Sequence, residues 1–199
     1  MHIPSPRLRD RGVTLIELLV AVAVIAIIVT VAAPSFRDMI QMQRLRGITA
    51  QLVTDLQFAR NDAVSRGTLS RFSFQSDASM SCYSIYTSAV SNTRCDCRLG
   101  AGAACGVGNA EIKTVQIPRS LAVEVSIPIA EFDTAFAFDN VSGGLFVIPT
   151  DSAARPFDDI KIESFIDSAR KLVVRINGAG RSLVCSPPGS TMTEPACLP

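Results

Sequence analysis

Arg11-Gly12-Val13-Thr14-Leu15-Ile16-Glu17-Leu18-Leu19 joins a basic leader to a long apolar run that has one carboxylate inside it. From Val13 to Ala33 there are 21 residues, interrupted only by Thr14, Glu17 and Thr30. A helix of that length rises roughly 30 Å, enough to cross a bilayer core. A secretory signal peptide has a shorter apolar core and a small-residue cleavage site after it; here the plausible processing point, Gly12, comes before the run. Residues 13–33 are therefore expected to be a transmembrane helix, and residues 1–12 a removable leader. An acid inside a span costs a few kcal/mol on insertion scales, so Glu17 calls for a partner or a function. A cut after Gly12 would give Val13 a free α-amine with an unperturbed pKa of about 8, a natural counter-ion within one helix or between copies. The alternative is that Glu17 snorkels to the headgroups.

The chain has 199 residues, six cysteines and a formal net charge of +1. That length fits one modest globular unit beyond the span. Arg7, Arg9 and Arg11, against Asp10, keep the N-terminus cytoplasmic by the positive-inside rule and send the rest outward in a single pass. Cys82, Cys95, Cys97, Cys105, Cys185 and Cys197 all lie on the outward side, and an even count there favours disulfides over a metal. The only histidine is His2, and Cys95-x-Cys97 lacks the paired C-x-x-C of a zinc ribbon. Neither a metal nor a cofactor is expected.

The helix should continue past the span. Phe36, Ile40, Leu45, Ile48, Leu52, Leu56, Ala59 and Ala63 recur on one face, so residues 34–67 read as amphipathic and should pack on a globular body. Pro34 is expected to break or kink the helix, and Gly67 to stop it. From residue 68 to 199 the texture is that of antiparallel sheet, with strands at 69–74, 83–87, 112–117, 121–127, 145–148, 160–166, 172–176 and 182–185. Gly143-Gly144, Asn177-Gly178, Pro118 and Pro128 mark turns and breaks. The stretch 88–109 reads as a disulfide-tied loop. The fold class is thus α+β, a long N-terminal helix packed on an antiparallel sheet domain. Cys185 and Cys197 enclose the turn-rich Pro187-Pro188-Gly189 and are expected to bridge. The other four cysteines should pair among themselves, with Cys95 and Cys97 going to different partners.

Two sets of residues carry a resemblance. The Gly12 junction followed by Val13-Thr14-Leu15-Ile16-Glu17 resembles the class III (prepilin) signal of type IV pilins and type II secretion pseudopilins, departing from it only in having Val13 where Phe is usual. The run Asp55-Leu56-Gln57-Phe58-Ala59-Arg60-Asn61-Asp62-Ala63-Val64-Ser65-Arg66-Gly67, with Leu172–Asn177 and Gly180–Cys185, is similar to the GspH/FimT/FimU group of minor pilins and pseudopilins. The resemblance implies a pilin-like fold, cleavage by a prepilin peptidase between Gly12 and Val13, N-methylation of Val13, a role for Glu17 in assembly with other pilin or pseudopilin subunits, and loosening of the helix near Pro34.

Catalysis is not expected. There is no histidine beyond the leader, no G-x-S-x-G elbow and no P-loop, so hydrolysis and phosphoryl transfer lack their parts. Asp151 and Asp158-Asp159 read as a solvated acidic turn. Some members of the group bind DNA through a C-terminal Gly-Arg-x-Arg motif; here Gly180-Arg181-Ser182-Leu183 keeps the first arginine and loses the second, although Lys171 and Arg175 lie close in sequence. From residue 68 onward there are eleven Lys and Arg against thirteen Asp and Glu, net −2, so there is no bulk basic field. The expected function is that of a minor pilin joining the tip or initiation complex of a type IV pilus. The alternatives are a type II secretion pseudopilin and a DNA receptor at the pilus tip.

Overall fold

The computed structural model describes residues 12–88, 94–128, 135–147, 155–156 and 158–198. The leader 1–11, Asp151 and Ile148 lie outside them. The chain divides into two compact units, Met1–Ile40 and Gln41–Pro199.

Helix α1, Leu15–Arg66, runs through both units and keeps its helical assignment across Pro34. No single straight helix among the described residues is long and apolar enough to cross a membrane; Leu15–Thr30 and Ser35–Arg66 meet that test only as a pair. In the first unit the apolar side chains of α1 are exposed all round, from Leu15 and Ile16 through Ile25, Ile28, Phe36 and Ile40. Phe36 and Ile40, placed on the same stripe by the sequence, are exposed. In the second unit the period of the sequence decides burial. Leu45, Leu52, Leu56, Ala59 and Ala63 are each 1% exposed or less, while Gln51, Thr54, Gln57 and Asn61 face solvent. The helix ends as its residues dictate: Gly67 takes φ +64°, and the Thr68 N–H bonds to the Ala63 carbonyl at 3.2 Å, a glycine-closed C-terminus.

The body holds two antiparallel sheets where the sequence suggested one. The strands are β1 (Ser70–Ser76), β2 (Met80–Ser88), β3 (Asn109–Pro118), β4 (Glu124–Ser126), β5 (Ala135–Phe138), β6 (Leu145–Val147), β7 (Arg155–Pro156), β8 (Asp159–Phe165), β9 (Lys171–Asn177) and β10 (Ser182–Cys185). Six form one sheet in the order β3-β2-β1-β5-β6-β7, and four form the other, β10-β9-β8-β4. The expected strand at 121–127 is shorter, because Arg119–Leu121 is a 3₁₀ turn that ends on Ala122 in the left-handed region. β5, missed in the sequence, is the centre of the aromatic core. Its Phe136 stacks on Phe72 at 5.1 Å, and Phe138 meets both rings edge-on. Alternation does the sorting here: Phe72 and Phe74 point toward α1, whereas Arg71, Ser73 and Gln75 point to the opposite face. That second face is also covered. The cysteine loop lies on it, with its Cys95 carbonyl accepting from Ser73 Oγ at 2.9 Å and Gln75 Nε2 at 3.0 Å, and Cys95 and Ala104 packing on Tyr86.

Three disulfides tie the body: Cys82–Cys97, Cys95–Cys105 and Cys185–Cys197. Cys95 and Cys97 go to different partners, so one short segment is fixed to strand β2 and to its own loop at once. The third bridge closes a C-terminal strap. Met192 in this strap packs with Leu45, Val123 and Leu172, and Arg46 Nε donates to Glu194 at 2.8 Å.

Candidate functional site

The first candidate is the helix start. Thr14 is non-helical and caps α1: its Oγ1 accepts from the Glu17 N–H at 3.3 Å, and its carbonyl accepts from Leu18 at 3.1 Å. Thr14-x-x-Glu17 therefore has the spacing of a capping box, which puts a carboxylate in the first turn, where the helix dipole favours it. The Glu17 side chain is exposed and meets no cation among the described residues. Gly12 and Val13 precede the cap outside the helix and are exposed. The result is an apolar rod whose one acid sits a single turn from the Gly12-Val13 bond.

The second candidate is the surface where the end of α1 meets the two sheets. Arg60 Nε donates to the Gly143 carbonyl at 3.0 Å, in the loop between β5 and β6. The same loop touches the β9–β10 turn, since Leu145 N–H bonds to the Gly178 carbonyl at 2.9 Å. A Cβ on Gly180 would stand 2.1 Å from the Gly143 carbonyl, so this junction closes only with glycine there. Arg181 emerges beside it. Its N–H is held by Asn177 Oδ1 at 2.9 Å, and its exposed side chain lines a hollow of about 400 Å³ with Gln57, Arg60 and Asn61. Arg60 shares this hollow, but the two basic residues of β9 do not add to it. Lys171 is paired with Glu163 at 2.8 Å, and Arg175 with Asp159 at 3.1 Å. The Asp159 of the expected solvated acidic turn is thereby engaged in an ion pair. Among the described residues no group of His, Cys, Asp and Glu is arranged to hold a metal.

Sequence reasoning missed Asp55. It is 4% exposed on the buried stripe of α1, accepts from the Tyr83 hydroxyl at 2.8 Å and pairs with Lys113 at 2.6 Å. One helix residue thus ties α1 to β2 and β3. Burial, and then the Asp55 charge, push the Tyr83 phenol far above its ordinary value, so it stays a donor at any physiological pH. The signal was present: an acid between Leu52 and Leu56 on an apolar face has to be paired.

Two family models match this sequence. One, described as the prokaryotic N-terminal methylation motif, covers residues 7–33, and the other, described as type II transport protein GspH, covers residues 49–180. No curated protein and no solved structure matches the chain.

Proposed function

Because the chain belongs to the GspH family of type II transport proteins, whose members are minor pilins and pseudopilins, we propose that it joins the tip or initiation complex of a type IV pilus as a structural subunit. The observation that carries this reading is the first unit of α1, where an apolar surface exposed on every side begins at the Thr14–Glu17 cap. Such a surface needs lipid first and the helices of other subunits afterwards. In this reading a prepilin peptidase cuts between Gly12 and Val13, Val13 is N-methylated, and residues 13–33 hold the protein in the inner membrane with the body periplasmic. Glu17 then pairs with the Val13 amine of a neighbouring subunit and sets axial register.

Mass spectrometry of the membrane-extracted protein should find methylated Val13 as its first residue, and an intact Met1 terminus in cells that have the peptidase would count against the reading. Glu17→Ala should be processed and keep its disulfides, yet be depleted from the sheared filament fraction. A variant recovered with filaments as well as the parent would reduce Glu17 to a snorkelling charge. The second reading is a type II secretion pseudopilin, favoured by the family's own description. Deleting the gene separates the two, since loss of surface pili with normal protein secretion supports the first, and the reverse supports the second.

A further inference from the structure

Among the described residues the two sheets have four edges, and three of them are blunted. β3 carries Lys113 and faces a register shift at Ile85/Tyr86; β7 is two residues long and includes Pro156; β4 is three residues long and its Val125 N–H is taken by Ser81 Oγ at 3.0 Å. These are the devices by which natural sheets avoid pairing with other chains. β10, four residues long, carries neither a proline nor a charge. The phase of its ladder follows from two bonds. Ile166 N–H to the Arg170 carbonyl starts the β8–β9 ladder, so Val174 and Ile176 spend their backbone groups on β8. Asn177 N–H to the Arg181 carbonyl starts the β9–β10 ladder, so Leu183 and Cys185 bond to Arg175 and Val173. Ser182 and Val184 are left with N–H and C=O directed away from the sheet.

The same edge is already used two residues further on. Ser186 donates to the Pro195 carbonyl at 2.8 Å and accepts from Cys197 at 2.9 Å, in a parallel bridge with the returning strap. The edge is therefore competent to pair, and the chain's own strap stops short of Ser182 and Val184. Hollows of about 400 and 380 Å³ flank this bare stretch, one against α1 and one on the outer face, and both are lined by Arg181 and Ser182. Ser182 Oγ is shielded from solvent without a hydrogen-bond partner, and Leu183 and Leu198 stand 62% and 75% exposed on the rim of the outer hollow. Arg181 has no counter-ion among the described residues, while the part of the chain from residue 68 onward carries thirteen acids against eleven bases.

We propose that the Ser182–Val184 edge of β10 is a strand-addition site for an extended segment of a neighbouring filament subunit, which sets a carboxylate on Arg181 and an apolar side chain against Leu183 and Leu198. The proposal rests on the filament-subunit reading. Alternating N–H and C=O groups in strand phase with an apolar rim recognise a peptide; a DNA backbone accepts from N–H groups but has no donors for the C=O groups.

The test places a photoreactive amino acid at Leu183 of the full chain in its own cells, with the same group at Val107, on the cysteine loop, as control. Irradiation should join Leu183, and not Val107, to a second pilin-like subunit identified by mass spectrometry. Arg181→Glu should cut the adduct about tenfold, and Ser182→Pro similarly, the weight of a lost hydrogen bond or charge partner. Proline at Ser182 removes only an outward N–H, so the β9 ladder and the Cys185–Cys197 bridge should survive on non-reducing gels. If the chain enters filaments but Leu183 gives no subunit adduct, or a nuclease-sensitive one, strand addition is wrong and the filament reading stands. If the chain never enters filaments, that reading falls and the proposal with it.

Discussion

Leu15–Ile40 and Gln41–Arg66 are halves of one helix with opposite relations between composition and burial. The first is the more apolar and buries almost nothing; the second mixes Gln, Thr, Arg and Asp with its leucines and buries a clean stripe. Apolar content alone therefore says little about what lies against a helix. Where apolar and polar residues alternate at helical period, the polar face declares that water is on one side and packing on the other. Where every face is apolar, the pattern marks no side for water.

The sharpest way to break that contrast is truncation at matched positions. Leu56→Ala should destabilise the full chain in detergent by about 2–5 kcal/mol and lower its Tm by about 5–15 °C. Ile25→Ala, a comparable loss of side chain, should leave the melt of the body unmoved. Equal losses would mean that the first half carries packing the comparison denies it. Next in size, Cys185→Ser with Cys197→Ser opens a loop of sequence separation 12, worth about 3 kcal/mol in the chain-entropy model. Amide exchange should rise around Leu45 and Arg46, which the strap holds, and stay slow in β1 and β2. Asp55→Ala should cost about 1–3 kcal/mol by leaving the Tyr83 hydroxyl unpaired in the core; Tyr83→Phe should then recover part of it, and strictly additive losses would argue against the pairing.

The smallest effect expected is of acid. Arg119 donates to Glu124 and holds its carboxyl below the ordinary value. Its folded pKa is depressed, so its stabilisation is present above the ordinary value near 4.5 and is lost as pH falls through the lower folded value. Melts taken from pH 6 down to pH 3 should decline only at the acid end, and Arg119→Met should flatten that decline.

Much of this was legible in residue order. The stripe from Leu45 to Ala63, the stop at Gly67 and the β9–β10 hairpin follow from period and turn chemistry. Phe36 and Ile40 continue the stripe yet are exposed, because a period reports a face and not what stands opposite it. β5 escaped because Ala135–Phe138 is only four residues long, too short for alternation to be told from chance. The split into two sheets depends on which strands neighbour one another, and that is settled by packing across distant residues. The Arg60–Gly143–Gly180 junction is of the same kind, since nothing local to any of the three announces the other two. Asp55 was within reach, being an acid where the pattern asked for an apolar residue.

The strap also bears on how the body folds. Arg46 and its partner Glu194 are 148 residues apart in sequence, and Leu45 shares its cluster with Met192 at almost the same separation. Contacts that distant are paid for in loop entropy before they return anything, so they form late. For most of the folding time Leu45 has no lid, and an aliphatic side chain left uncovered in the first body turn of α1 is open to misassociation. Closing the Cys185–Cys197 bridge keeps Met192 beside β10, so that the lid is in place once β10 has paired. Its rate of oxidation, and not the assembly of the aromatic core, should therefore set when this helix becomes safely seated.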